Sequence, residues 1–180
     1  MKIVLGLTGP NAAGKGEVAD YLKVRGFALH SLSNIVREEA QARGLPPERE
    51  HLIAVGNDLR RVGGPSVLAD RLIPRLGDKD VVDSIRNPGE VKALRSLPHF
   101  TLIGVAAATE VRFRRSLGRA RPGDPDTLEG FEARERQENS DDPNSQQLAA
   151  TFELADRIVW NDSDLDSLHH SVDRLLELFR

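Results

Sequence analysis

Lys15 and the small residues around it form the segment of this sequence best suited to chemistry. An apolar run at residues 3–8 precedes a glycine-rich turn, and helical spacing begins at the lysine. Glycines let successive backbone N–H groups turn toward one anion, the helix N-terminus adds the positive end of its dipole, and the lysine can reach a nucleotide's outer phosphates. The spacing predicts a phosphate-binding loop, or P-loop, made of Gly9, Pro10, Asn11, Ala12, Ala13, Gly14, Lys15, Gly16 and Glu17.

The residue after the lysine departs from the usual form of such a loop. This position is normally a Ser or Thr whose hydroxyl binds Mg²⁺, but here it is Gly16, and Glu17 follows. A tight glycine-rich connection is the alternative interpretation of the whole segment.

A second candidate group follows a short apolar segment at residues 80–83, which ends in Asp83. Residues 87–90, Asn-Pro-Gly-Glu, have the pattern of a helix start with a capping box. We therefore expect Asp83 and Arg86 in the turn between a strand and a helix, at the edge where parallel sheets bind ligands. Asp83 is predicted to hold Mg²⁺ directly or through water, and a turn-forming aspartate is the alternative.

Arginines recur in three parts of the chain. Arg37 is expected in the first turns of a helix beginning near Ile35, where positive charge opposes the helix dipole. Two explanations for the charge of Arg37 are open: the residue has a function, or its side chain is solvated or paired with a nearby glutamate. Arg60 belongs to a helical segment between the second and third strands, where a surface arginine is the alternative reading. The third group is Arg112, Arg115, Arg119 and Arg121.

The third group recurs on one face of a helix that Thr109 is predicted to cap, with Arg121 just beyond the helix. Clustered positive charges repel one another, and bound phosphates would compensate them. A solvated basic face or an RNA-contacting patch is the alternative, although no interleaved aromatic residues favour nucleic acid.

Composition narrows the class of protein. The chain has 180 residues, enough for one α/β domain, and a formal net charge of -3, so it has no overall field that would require nucleic acid or an anionic membrane. The absence of cysteine excludes disulfides, a thiolate nucleophile and a cysteine zinc site, and it fits a reducing cytosol. No apolar run approaches 18 residues and no signal-peptide pattern is present. We expect a cytoplasmic protein without membrane contact, and the oligomeric state is left open.

The periodicity of apolar residues predicts alternating strands and helices, and hence an α/β fold with a five-stranded parallel sheet and helices on both faces. The near-continuous apolar run at residues 100–107 is expected to be a central strand. The strands are predicted at residues 3–8, 27–30, 80–83, 100–107 and 157–160. A single domain is expected, with core segments 1–30, 78–118 and 154–180, an acceptor-binding helical insertion at about 31–76 and a small arginine-rich lid at about 119–145.

Five motifs together resemble P-loop nucleotide kinases over nearly the whole chain. They are GPNAAGKG at 9–16, SNIVREE at 33–39, VVDSIRNP at 81–88, RFRRSLGRAR at 112–121 and ADRIVWND at 155–162. The sequence is similar to adenylate-kinase-like and dephospho-CoA-kinase-like members, the nucleoside monophosphate kinases among them. Adenylate kinases also place glycine after the loop lysine, although a threonine usually stands where this chain has Glu17.

The resemblance implies a P-loop NTPase three-layer α/β/α sandwich that uses ATP and Mg²⁺. It implies that Arg37 and Arg86 hold the acceptor's phosphate, with Arg60 as a further substrate-binding residue, and that Asn161 borders the base of ATP. Charge on the transferred phosphoryl group would be neutralised by the catalytic set, Lys15, Arg115, Arg119 and Arg121.

The expected reaction transfers the γ-phosphoryl group of ATP to a small phosphorylated acceptor, a nucleoside or deoxynucleoside monophosphate. A hydroxyl acceptor, as in dephospho-CoA kinases, generally needs a carboxylate base near the end of the second strand. This chain has His30-Ser31-Leu32-Ser33 there, and His30 as a base keeps that alternative open. A non-catalytic NTP-binding regulatory module, favoured by Gly16-Glu17, is the third possibility.

Overall fold

The structure is a computed structural model that describes residues 2–120 and 123–179. Five strands lie within these residues: β1 (Ile3–Thr8), β2 (Ala28–Ser31), β3 (Lys79–Asp83), β4 (Phe100–Ala106) and β5 (Arg157–Trp160). They form one sheet in the order β2-β3-β1-β4-β5, and each neighbouring pair is parallel. β3 and β4 lie on opposite sides of β1. The loops that follow these strands therefore diverge and open a crevice at the carboxyl edge of the sheet.

Helices cover both faces of the sheet. They are α1 (Lys15–Val24), α2 (Leu32–Ala42), α3 (Arg49–Gly63), α4 (Val67–Leu72), α5 (Pro88–Leu94), α6 (Thr109–Arg119), α7 (Leu128–Glu138), α8 (Leu148–Glu153) and α9 (Leu165–Leu176), with 3₁₀ turns at Ile73–Arg75 and Glu177–Phe179. No helix in the described part of the chain has the length and apolar composition that a membrane span requires.

Two apolar clusters sit on the two faces of the sheet, and β1 contributes to both. Val4 packs with residues of α2 to α5, whereas its neighbour Leu5 packs with residues of α1 and α9. Successive strand side chains point to opposite faces, so a strand covered on both sides must be apolar at every position. This explains why the sequence before the P-loop is a continuous apolar run, and it confirms the predicted three-layer fold.

The strand that the sequence predicts centrally at residues 100–107 is an interior strand of the sheet, and it spans Phe100–Ala106. β4 lies between β1 and β5, and β1 occupies the middle of the sheet. Both strands are covered on two faces, so both have near-continuous apolar sequences. Hydropathy reports burial, and strand order depends on pairing between distant segments.

Two predicted helix starts also differ from the structure. α2 begins at Leu32, directly after β2 and three residues before Ile35. Thr109 is the first helical residue of α6, and the N-cap is Ala108, whose N–H donates to Asp162 Oδ1 at 2.6 Å. A partner from the loop after β5 thus replaces a local side-chain cap.

The helix start after β3 agrees with the sequence. Asn87 caps α5 and accepts a hydrogen bond from Gly89 N at 2.8 Å, Pro88 is the first helical residue, and Glu90 closes the capping box. α2 to α4 lie within the range predicted as an acceptor-binding insertion, and α7 lies within the range predicted as a lid.

Candidate functional site

The loop after β1 turns tightly onto the N-terminus of α1. Gly9 and Gly14 have φ values of 138° and 103°. A Cβ atom on Gly9 would lie 2.1 Å from the carbonyl oxygen of Val105, and one on Gly14 would lie 2.1 Å from Asn161 Nδ2. Both positions therefore require glycine for conformation and for space. The result is a compact loop leading into a helix N-terminus, the arrangement that binds phosphates.

Lys15 is held inside this loop. Its Nζ donates hydrogen bonds to the carbonyl oxygens of Gly9 at 2.7 Å and Pro10 at 2.9 Å. Burial, followed by the positive charge of Arg86, lowers the pKa of the Lys15 ammonium to about 8, and the negative charge of Asp83 partly opposes this shift. The lysine therefore lies in the field of both residues predicted to follow β3.

A cavity of about 830 Å³ lies at the carboxyl edge of the sheet, next to the loop. This volume falls in the range of small-molecule binding sites. Most of the residues predicted from the sequence line it: Asn11, Ala12, Gly14, Lys15, Gly16, Glu17, Arg37, Asp83, Arg86, Arg115, Arg119 and Asn161. We call it the donor cavity. Arg121 lies outside the described residues.

Asp83 is the last residue of β3, and one of its oxygens fits a metal ligand. Its Oδ1 is buried and has no hydrogen-bond partner among the described residues, whereas Oδ2 accepts a hydrogen bond from Ser84 Oγ at 3.3 Å. A buried oxygen without a partner is costly unless an ion or water satisfies it. Mg²⁺ at nucleotide sites commonly uses one or two carboxylates together with phosphates and water, so this single carboxylate suits the ion.

Gly16 has room for a side chain. A Cβ atom there would meet nothing within 4 Å, so the missing hydroxyl is not imposed by crowding. No group of three or more His, Cys, Asp or Glu that could hold a metal occurs within residues 2–120 and 123–179. A metal in the donor cavity would therefore depend on the nucleotide for part of its ligand set.

Asn161 connects the P-loop to α6. It is buried, its Nδ2 donates to the carbonyl oxygen of Ala13 at 2.9 Å, and its Oδ1 accepts a hydrogen bond from Arg115 Nη2 at 3.3 Å. Arg115 Nη1 is buried without a partner in the part of the chain that the structure describes. Asn161 thus supports the loop and leaves Arg115 with donor capacity beside the cavity.

A second cavity of about 260 Å³, here called the acceptor cavity, adjoins the donor cavity. The two share Ser33, Arg37, Ser84 and Arg86. Arg37 Nη1 donates to Ser33 Oγ at 2.7 Å, and Arg86 Nη1 donates to Gln146 Oε1 at 3.2 Å. Burial lowers the pKa of Arg86. The other walls come mainly from α2 to α4 and include Leu32, Val36, Pro47, Leu52, Ile53 and Leu68.

Arg60 lines the acceptor cavity, but its guanidinium serves an internal ion pair. The residue is 3 % exposed, and its Nε and Nη2 donate to Glu90 Oε1 at 3.1 and 2.7 Å. The other Glu90 oxygen accepts the backbone N–H groups of Arg86 at 2.8 Å and Asn87 at 3.1 Å. Arg60 therefore anchors, through Glu90, the turn that carries Arg86. Glu90 neutralises the charge of Arg60.

Sequence reasoning assigned no function to the carboxylates of α7, yet two of them reach the P-loop region. Both oxygens of Glu135 bind the guanidinium of the buried Arg112, whose Nη1 also donates to the carbonyl oxygen of Asn11 at 3.2 Å. Glu138 accepts a hydrogen bond from Asn11 Nδ2 at 2.7 Å. Their three-residue spacing, which places both on one helix face, was the available signal.

The end of β2 presents hydroxyl groups to the cavities. Ser31 lines the donor cavity and Ser33 lines both. His30, the alternative base, is bonded through Nε2 to Asp80 Oδ1 at 2.9 Å. Its imidazole is therefore engaged with a buried aspartate of the neighbouring strand.

No protein-family model matches the chain. It is similar over nearly its full length to UPF0200 proteins, with 31% identity to one from Pyrococcus furiosus, covering 98% of this chain and 97% of the relative. Identity to one from Halobacterium salinarum is 33%, covering 96% and 92%.

Solved structures of kinases share the fold. A shikimate kinase from Bacteroides thetaiotaomicron has a TM-score of 0.62 at 17% identity, covering 98% of both chains. A gluconokinase from Sinorhizobium meliloti has a TM-score of 0.55 at 15% identity, covering 98% of this chain and 95% of the other. The likeness establishes a P-loop kinase-like fold and does not extend to the nucleoside monophosphate kinase subtype.

Proposed function

The chain belongs to the UPF0200 family, and from this premise and the geometry of its site we propose that it transfers the γ-phosphoryl group of ATP to a small phosphorylated acceptor. A nucleoside or deoxynucleoside monophosphate is the acceptor that fits best. The observation that carries the proposal is the pair of adjoining cavities: a P-loop cavity and a partly apolar cavity that meet at Arg37 and Arg86.

The donor cavity has the groups needed to bind a nucleoside triphosphate. The loop and the helix N-terminus receive the phosphates, and Lys15 exchanges the carbonyl oxygens of Gly9 and Pro10 for phosphate oxygens. Asp83 would hold Mg²⁺, which when bound neutralises charge on the phosphates. Arg115, Arg119 and Arg121 would neutralise the charge on the transferred group and its neighbours, the main task in phosphoryl transfer.

The acceptor cavity suits a molecule with an apolar body and an anionic end. Arg37 and Arg86 lie where the two cavities meet, so a phosphate bound by them would face the donor's γ-phosphate. An acceptor phosphate oxygen then attacks the γ-phosphorus, the bond to the β–γ bridging oxygen breaks, and ADP leaves.

The absence of a free base at the end of β2 favours a phosphate acceptor over a hydroxyl acceptor. A phosphate oxygen is already anionic and needs no deprotonation, whereas a hydroxyl requires a positioned base. Ser31, the last residue of β2, and Ser33, in the first turn of α2, offer hydroxyls to the cavities, while His30 is bonded to Asp80.

The proposal is tested by incubating the protein with Mg·ATP and, separately, with nucleoside monophosphates, deoxynucleoside monophosphates and dephospho-CoA, and by analysing the products by mass spectrometry. We expect a new nucleoside diphosphate. Lys15→Ala should abolish it, with Lys23→Ala, an exposed lysine of the same helix, as the matched control. Formation of CoA from dephospho-CoA would establish the hydroxyl-kinase alternative. Tight ATP binding with no phosphorylated acceptor would favour the regulatory module.

A further inference from the structure

One carboxylate, that of Glu138, joins the P-loop to the segment over the acceptor cavity. Its Oε2 accepts the hydrogen bond from Asn11 Nδ2, and its Oε1 accepts two from Arg49, of which the bond from Nε is 3.1 Å long. Arg49 begins α3 and Glu138 ends α7, so the contact links elements 89 positions apart in the chain.

Arg49 lies where an acceptor's anionic group is expected. It lines the acceptor cavity together with Arg86, and both residues also line a small cavity of about 70 Å³ beside Asn11 and Arg119. The charge of Glu138 raises the pKa of Arg86 and that of Arg49 lowers it. Glu138 therefore acts as a counter-ion for two guanidinium groups that would otherwise repel each other.

The Arg60–Glu90 and Arg49–Glu138 pairs, which both border the acceptor cavity, differ in exposure. The Arg60 and Glu90 side chains are 4% and 0% exposed, so that pair is closed to ligands. The Arg49 side chain is 39% exposed, whereas its partner Glu138 is 8% exposed. Arg49 can therefore meet a ligand from the cavity while its present partner stays inside the protein.

We propose that Arg49 is an additional binding residue for a phosphate monoester in the acceptor cavity, and that Glu138 occupies its guanidinium until that phosphate replaces it. Carboxylate and phosphate bind guanidinium in the same bidentate manner, and a phosphate monoester brings more charge and three acceptor oxygens. Glu138 also binds Asn11 of the P-loop. Replacement of Glu138 by phosphate at Arg49 would therefore couple binding of the acceptor to the P-loop. The identity of the ligand rests on the proposed function.

The proposal predicts opposite effects for the two residues. Neutralising the competitor with Glu138→Gln, which removes the charge and keeps one of the two acceptor oxygens, should tighten anion binding by about 3-fold or more. Arg49→Ala should weaken it by about 10-fold, as expected for loss of a charge-assisted hydrogen bond. In the Arg49→Ala background, Glu138→Gln should give a smaller gain, because the carboxylate then neutralises only Arg86.

The measurement is calorimetric titration of the full chain with inorganic phosphate, with the donor cavity saturated by Mg²⁺ and a non-hydrolysable ATP analogue. Arg61→Ala is the matched control, since Arg61 lies on the same helix, is exposed and pairs with Asp58. Melting curves establish that each variant is folded. If Arg49→Ala is not folded, Arg49→Lys replaces it in the titration.

An equal gain from Glu138→Gln in both backgrounds would indicate a general field effect and overturn the proposal. The proposal would also be overturned if Arg49→Ala bound phosphate as tightly as Arg61→Ala. A third contrary result would be that neither the unmodified protein nor Glu138→Gln binds phosphate. Because phosphate binding is read directly, the result stands apart from whether any acceptor is phosphorylated.

Discussion

Replacing Arg60 by alanine distinguishes a residue that supports the site from one that binds substrate. The sequence resemblance implies substrate binding, whereas the structure places the guanidinium against Glu90, which is fully buried. A supporting role predicts a large loss of stability, and a substrate-binding role predicts a raised acceptor KM with little loss of stability.

The magnitude follows from the partners of Glu90. Its carboxylate accepts four hydrogen bonds, two from Arg60 and two from the backbone N–H groups of Arg86 and Asn87. Arg60→Ala removes two of them and leaves a buried negative charge. Breaking such a buried pair costs about 3–5 kcal/mol. For a domain of this size each kcal/mol lowers Tm by about 2–4 °C, so we expect a fall of about 6–20 °C.

Urea denaturation followed by circular dichroism measures the free energy of unfolding, and thermal melts give Tm. Arg61→Ala is the control, because its exposed pair with Asp58 should contribute less than about 1 kcal/mol. An Arg60→Ala protein as stable as Arg61→Ala, with a raised acceptor KM, would refute the assignment of Arg60 to an internal ion pair.

Three further predictions concern the proposed reaction. Asp83→Asn should reduce Mg²⁺-dependent turnover far more than metal-free nucleotide binding, measured by calorimetry, since the carboxylate acts through the ion; equal losses would mark a structural turn residue. Because the Lys15 pKa is about 8 in the free protein and phosphates raise it, metal-free nucleotide affinity should be nearly constant between about pH 7, where the terminal phosphate is already ionised, and pH 8, and should fall by up to about tenfold per pH unit above that, accompanied by proton uptake. Lys15→Arg should abolish that dependence. Arg37→Lys should raise the acceptor KM and spare ATP affinity, because lysine cannot reproduce a bidentate contact; an unchanged KM would remove Arg37 from the acceptor site.

The features that the sequence predicted well depend on local geometry. Gly9 and Gly14 adopt positive φ values next to obstructing atoms, a requirement that the residue type itself reveals. The capping box at residues 87–90 and the strands around it have equally local causes. Because parallel strands end at one edge, these local predictions were enough to bring the P-loop, Asp83 and Arg86 together.

The arginines show what only the tertiary structure decided. Arg37, Arg49 and Arg60 all occur in helices of the same segment, and their sequence neighbourhoods do not show which guanidinium is paired with a carboxylate inside the protein. The fold brings Arg60 of α3 onto Glu90 of α5, whereas the position of α7 places Glu138 on Arg49. Each pairing joins residues at least 30 positions apart. The sequence by itself determined the strands, the P-loop and the edge at which ligands bind, because backbone conformation and hydrophobic period are local properties. The partner of each charge was decided by the tertiary structure, because it depends on which distant segments pack together.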